Sequence, residues 1–139
     1  MAYVKIAARN DYPEGADVIA FVKCDDRRGI KIFRSAQQAE SARAAQSSLS
    51  SIGLAPNCAE CIRTVEYDGK AEWAYYTDRA EMFDQTRWTD DAYVAGCEED
   101  AAQLKESLRA AGFDWADGED HTGNYGWIDG RCVLVDCGN

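Results

Sequence analysis

The chain has 139 residues, 46% of them apolar, with 15 Lys and Arg against 25 Asp and Glu, for a formal charge of −10. That length fits one domain of ordinary size, ~100–150 residues, with a core large enough to need no disulfide staples. The charge disfavours direct binding to a nucleic-acid backbone and favours basic partners, and no segment is apolar enough to span a bilayer.

The first element in the chain is a hairpin over residues 17–34. Val18-Ile19-Ala20-Phe21-Val22 is a β-rich run, Asp25-Asp26-Arg27-Arg28 a polar turn, and Gly29-Ile30-Lys31-Ile32-Phe33 the return strand. Ser35-Ala36-Gln37-Gln38 then matches a capping box, in which Ser35 and Gln38 satisfy free backbone N–H groups. Ala39, Ala42, Ala45, Leu49 and Ile52 follow at helical spacing. Gly53 closes this helix and Pro56 prevents its resumption. A second hairpin pairs residues 61–67 with 70–76 around Asp68-Gly69. Asp-Gly suits a type I′ turn, which needs positive φ at both central residues. Residues 78–95 are less regular and carry one short helix. The next helix runs over 98–111, with Glu98, Glu99 and Asp100 in its first turn, where the helix dipole favours acids. Ala101, Leu104 and Leu108 form its buried stripe and Gly112 ends it. A third hairpin pairs 126–128 with 131–135 around Asp129-Gly130.

The expected fold class is therefore α+β with antiparallel sheets. One domain over 1–139 is expected, with a soft division into a sheet-rich 1–78 and a helix-plus-hairpin 79–139. The start Met1-Ala2-Tyr3-Val4-Lys5 lacks the apolar run of a secretory leader, so a cytoplasmic location is expected. There Cys24, Cys58, Cys61, Cys97, Cys132 and Cys137 stay mostly reduced. Cys58-x-x-Cys61 has no second CxxC to complete a zinc site and reads as a pair of loop thiols.

The candidate chemistry lies around the last hairpin. His121 and Asn124 precede it and Asp136 follows it. A hairpin brings its two ends together, so the Asn124 amide oxygen and the Asp136 carboxylate suit magnesium, which takes hard oxygen ligands. Each candidate also has a plain structural explanation when taken singly. Lys31 is then a surface strand lysine, Glu40 a solvated helix residue, and His121 and Asn124 loop caps.

In order along the chain, Glu119-Asp120-His121-Thr122-Gly123-Asn124, the hairpin and Asp136-Cys137-Gly138 resemble the catalytic loop and metal-binding Asp-Phe-Gly of kinase-like folds. The form is that of aminoglycoside phosphotransferases and small bacterial or viral kinase-like proteins. The front half is similar too: a strand lysine, Lys31, is followed directly by a helix. The resemblance implies an antiparallel N-lobe-type sheet with one long helix, and a truncated C-lobe of helix and catalytic-loop hairpin. It implies ATP and Mg2+ as cofactors and a hydroxyl of a protein or small molecule as phosphoryl acceptor. Lys31 would contact the nucleotide phosphates, and Glu40, the only acidic residue of the first helix, would fix it. Residues 75–78, with Tyr76, would form the hinge that meets adenine. Asn124 and Asp136 would hold magnesium, and Glu119, Asp120 and His121 would form the catalytic loop.

Four differences from that family pattern carry a second expectation. Glu119 stands where the family has Asp, no glycine-rich loop lies between the first strands, Cys137 replaces the Phe, and one residue follows Gly138. The second expectation is a catalytically degenerate, acidic kinase-like protein that regulates or inhibits a basic macromolecular partner, as viral counter-defence proteins do. Trp73, Trp88, Trp115 and Trp127 would anchor that partner. A homodimer in which each chain supplies the other's missing lobe is a further expectation.

Overall fold

The computed structural model of the protein describes residues 4–6, 18–113 and 125–135. The architecture is α+β. Strands β1 (Val4–Ile6), β2 (Val18–Lys23), β3 (Arg28–Phe33), β4 (Arg63–Tyr67) and β5 (Lys70–Asp78) form one sheet, ordered β1-β4-β5-β3-β2. Its pairs are antiparallel except β1 with β4. Strands β6 (Glu81–Met82), β7 (Tyr125–Ile128) and β8 (Arg131–Leu134) form a second, antiparallel sheet. Helix α1 (Ala36–Ser50) joins β3 to β4, and α2 (Asp91–Ala110) follows a short 3-10 helix at Gln85–Arg87.

Local chemistry explains the hairpins. In the β2–β3 turn, the Asp25 carboxylate accepts from the Arg27 and Arg28 backbone N–H groups, both at 2.8 Å. Asp68 and Gly69 have φ of 53° and 73°, and Asp129 and Gly130 have 51° and 76°. These are the positive values a type I′ turn demands, and both Asp-Gly hairpins form as expected.

Strand β3 is buried from Gly29 to Phe33 without alternation, because both faces of the sheet are covered there. Ile30 and Ile32 share one face with Ala20, Val22, Val65 and Ala74. Lys31 and Phe33 share the other with Tyr75, which lies directly across from Lys31 in register. Helix α1 packs Ala39 and Ala42 onto Phe33 and Tyr75 of this second face. Val133 and Val135, at the end of the β7–β8 hairpin, pack on Phe21 beside it.

Ser35 caps α1 by accepting from the Gln38 backbone N–H at 3.1 Å, and the helix ends at Ser50, before Gly53 turns the chain at φ 81°. Ile52 lies past the helix end and is 57% exposed, so the apolar stripe stops at Leu49. Helix α2 begins at Asp91, seven residues before the expected start. Asp90 is its cap, accepting from the Tyr93 N–H at 3.2 Å. Glu98, Glu99 and Asp100 are therefore mid-helix residues, and Gly96 is accommodated in the interior rather than breaking it. The expected stripe of Ala101, Leu104 and Leu108 is buried, extended by Cys97. It packs on Phe83, the residue after β6, on Tyr125 and Leu134 of the second sheet, and on Leu49 and Ala55 from the α1 end. No helix among the described residues is long and apolar enough to cross a membrane.

Two side-chain sites in the second sheet yield tests. A methyl group at Gly126 would sit 2.7 Å from the Glu81 carbonyl oxygen and 3.0 Å from the Ala80 Cβ. Both are fixed by backbone, so Gly126→Ala is expected to destabilise by ~1–3 kcal/mol, read as a lower urea midpoint. Wild-type stability would mean that β6 does not lie against β7. Cys132 pairs with Trp127 across this sheet. Burial, with the Asp100 carboxylate adding to it, pushes its thiol from 9.0 up to about 12. The unfolded thiol ionises first, so the stability associated with this group is intact below about pH 9 and is lost as pH rises toward 12. Urea midpoints across that window should fall more steeply for wild type than for Cys132→Ala.

Candidate functional site

Lys31 is 4% exposed, not a surface strand lysine. Its Nζ donates to Gln46 Oε1 at 3.0 Å and to the Val135 carbonyl at 2.5 Å. The ammonium lies 5.7 Å and 5.9 Å from the ring centroids of Phe21 and Tyr75, within range of cation–π attraction. Three separate parts of the chain thus meet at one amine: strand β3, helix α1 and the end of the β7–β8 hairpin.

The helix residue that meets Lys31 is Gln46, not Glu40. Glu40 points to the outside of α1, with its side chain 49% exposed, and pairs with Arg43. Arg43 Nη2 donates to Glu40 Oε1 at 2.6 Å and Nε to Oε2 at 3.0 Å. That hydrogen-bonded guanidinium holds the Glu40 carboxyl below its ordinary range. Helix geometry separates the two residues. Six residues span ~9 Å of axis and turn the side chain by ~240°. Gln46 falls on the buried stripe with Ala39, Ala42 and Leu49, and Glu40 falls off it. Glu40 is thus the solvated helix residue of the plainer explanation.

Gln46 is fully buried and completely engaged. Its Oε1 also accepts from the Tyr75 hydroxyl at 2.8 Å. Its Nε2 donates to the Pro56 carbonyl at 2.8 Å and to Thr77 Oγ1 at 2.6 Å. A single carboxamide links Lys31 to the turn after α1 and to strand β5.

Tyr76 is a strand residue and not part of a hinge, because β5 continues to Asp78. Residues 75–78 pair with β3 on one side. On the other, the Tyr76 carbonyl accepts from Ala59 N–H, and Asp78 N–H donates to the Asn57 carbonyl, each at 2.9 Å. These backbone groups have partners within the protein. The Tyr76 ring carries the Arg63 guanidinium at 5.5 Å from its centroid.

Glu119, Asp120, His121, Asn124 and Asp136 lie outside the described residues. The hairpin between them is described: Tyr125, the residue after Asn124, pairs with Leu134, two before Asp136. Among the described residues, no group of three or more His, Cys, Asp or Glu side chains is arranged to hold a metal ion. Cys58 and Cys61 are free thiols, the first half-buried and the second exposed. Burial raises the Cys58 thiol above its ordinary value.

Among the described tryptophans, Trp127 donates from Nε1 to Asp100 at 2.9 Å and lies 4.5 Å from the Phe83 ring. Trp88 stands edge-on to Tyr93, and Trp73 packs beside Phe33 and Tyr75. All three are half-buried, and Trp115 lies outside the described residues. Sequence reasoning did not anticipate an open groove of about 1050 Å³ beyond the β2–β3 turn, lined by Asp26, Arg28, Asp78, Arg79, Glu81 and Asp129 among others. Lys31 is not in its wall. No family model, no curated protein and no solved structure matches this chain.

Proposed function

We propose that this chain binds a nucleoside triphosphate with magnesium, in the manner of a kinase-like protein, and transfers the γ-phosphoryl group to a hydroxyl of a protein or small molecule. One observation carries the proposal. The Lys31 amine reaches the carbonyl of Val135, 104 residues away in sequence and one peptide bond before Asp136. A phosphate-binding lysine and a magnesium-binding carboxylate must act on the same anion, so they have to be neighbours. The pairing of Tyr125 with Leu134 supports the same reading for Asn124, which precedes the hairpin that Asp136 follows. In this scheme Lys31 neutralises phosphate charge, Asn124 and Asp136 hold magnesium, and Glu119, Asp120 and His121 form the loop that positions the acceptor.

Titration with ATP, with and without magnesium, tests it by thermal shift and calorimetry. The expected result is magnesium-dependent stabilisation, about 2.7 kcal/mol when ATP stands at ~100 times its Kd, abolished in Asp136→Ala. No binding at millimolar ATP sinks the proposal.

A second reading has its own observation. The helix partner of Lys31 is a neutral amide, and the amine is 4% exposed. A kinase-like protein that has given up catalysis and uses its −10 charge to hold a basic macromolecular partner fits that arrangement. It predicts no response to ATP and a complex with a basic protein that weakens as salt rises.

A further inference from the structure

We infer that Gln46 is a positioning residue for Lys31 and that the position requires a carboxamide rather than a carboxylate; this rests on the nucleotide-binding reading above. A glutamine side chain offers two acceptor lone pairs and two N–H donors, and all four are used here. Oε1 takes the Lys31 ammonium and the Tyr75 hydroxyl. Nε2 gives to the Pro56 carbonyl and to Thr77 Oγ1. Thr77 Oγ1 in turn lies 3.3 Å from the Asn57 carbonyl and 3.1 Å from the Asp78 carbonyl, so its hydroxyl proton has acceptors and its lone pair is free for Gln46.

This set of partners fixes the orientation of the amide. Turning it over would set N–H groups against the Lys31 ammonium and an oxygen against the Pro56 carbonyl oxygen. Glutamate at this position would likewise turn an oxygen toward Pro56, where a donor is needed. Its charge would also compete with a phosphate for the ammonium. The amide orients the lysine without cancelling its charge. Buried and fully bonded, it also ties the lysine to strand β5 and to the turn after α1, which keeps the amine in one location.

The experiment uses the full chain labelled with 15N and follows the side-chain ammonium signal of Lys31, assigned by its loss in Lys31→Met. Wild type is expected to give a slowly exchanging, protected signal. Gln46→Leu should lose that protection while the protein stays folded by circular dichroism, and its affinity for ATP with magnesium should fall roughly tenfold. Tyr75→Phe, which keeps the ring and removes one donor to Oε1, should shift the signal. Gln46→Glu should keep the protected signal yet bind ATP more weakly. A protected signal unchanged in Gln46→Leu overturns the positioning role, and wild-type ATP affinity in Gln46→Glu overturns the requirement for an amide. If Gln46→Leu does not fold, an unmoved Lys31 signal in Tyr75→Phe overturns the inference instead. Failure of wild type to bind ATP counts against the nucleotide reading alone, because the ammonium signal reports on Gln46 without any nucleotide.

Discussion

Lys31→Met is expected to yield a folded protein that no longer responds to ATP and magnesium. Methionine is one heavy atom shorter but keeps an unbranched chain and much of the volume, so the packing against Phe21 and Tyr75 is largely retained. The ammonium is lost, and with it one donor to Gln46 Oε1 and one to the Val135 carbonyl. Gln46 keeps the Tyr75 hydroxyl as a partner, so the Val135 carbonyl bears most of the penalty. An unsatisfied buried acceptor costs ~1–3 kcal/mol, partly offset because no charge is buried any longer. The net effect on stability should be destabilisation by about 1–2 kcal/mol, read from urea midpoints. The effect on ligand response should be total: no rise in Tm at any ATP concentration that stabilises wild type. A variant that keeps the wild-type response would remove Lys31 from the nucleotide site.

The position of Lys31 in strand β3 was legible from sequence, but its helix partner was not read correctly. Charge was the wrong guide. Glu40 is the only acid in α1, and a lysine invites a carboxylate, yet Glu40 serves Arg43 three residues on. The useful signal was helical phase. Ala39, Ala42, Gln46 and Leu49 recur at i, i+3, i+7 and i+10, which places a polar Gln46 in the middle of an apolar stripe. A long polar side chain at such a position must find buried partners, and the structure supplies them in Lys31, Tyr75, Pro56 and Thr77. The end of β5 was misplaced because strand ends are weakly encoded. The expected strand stopped at residue 76, whereas pairing of Arg28 with Asp78 and the bridge from Cys58 to Thr77 carry β5 two residues further.

The same contrast runs through the fold. Asp-Gly turns and the Ser35 cap depend on neighbours two or three residues away, so they could be read directly. Strands β1 and β6 have three and two residues, too short for any alternation to register, and they exist only through pairing with β4 and β7. Helix α2 was shortened in the sequence reading because the acidic run Glu98-Glu99-Asp100 resembles the first turn of a helix, and Gly96 lies inside the observed helix. The Asp90 cap and the packing of Cys97 under the second sheet outweigh a glycine penalty of about 1 kcal/mol.

Leu108→Ala tests whether the sheet-rich front and the helix-plus-hairpin back unfold together. Leu108 is fully buried on α2. Its cluster joins Leu49 and Ala55 from the front half to Phe83, Tyr125 and Leu134 from the back. The Leu134 N–H also donates to the Leu54 carbonyl at 2.8 Å, a direct backbone tie between the halves. Truncating a buried leucine costs ~2–5 kcal/mol through lost transfer energy and the cavity left behind. A domain of this size has ~5–15 kcal/mol in total, so the midpoint shift should be large. Because the cluster spans both halves, tryptophan fluorescence and far-ultraviolet circular dichroism should lose signal at the same urea concentration, in wild type and variant alike. Two separated transitions in Leu108→Ala, with the sheet surviving the loss of α2, would mean that residues 1–78 and 79–139 are distinct folding units. A single shifted transition means that the two halves unfold as one cooperative unit, so that β3, α1 and Val135, which meet at Lys31, come apart together.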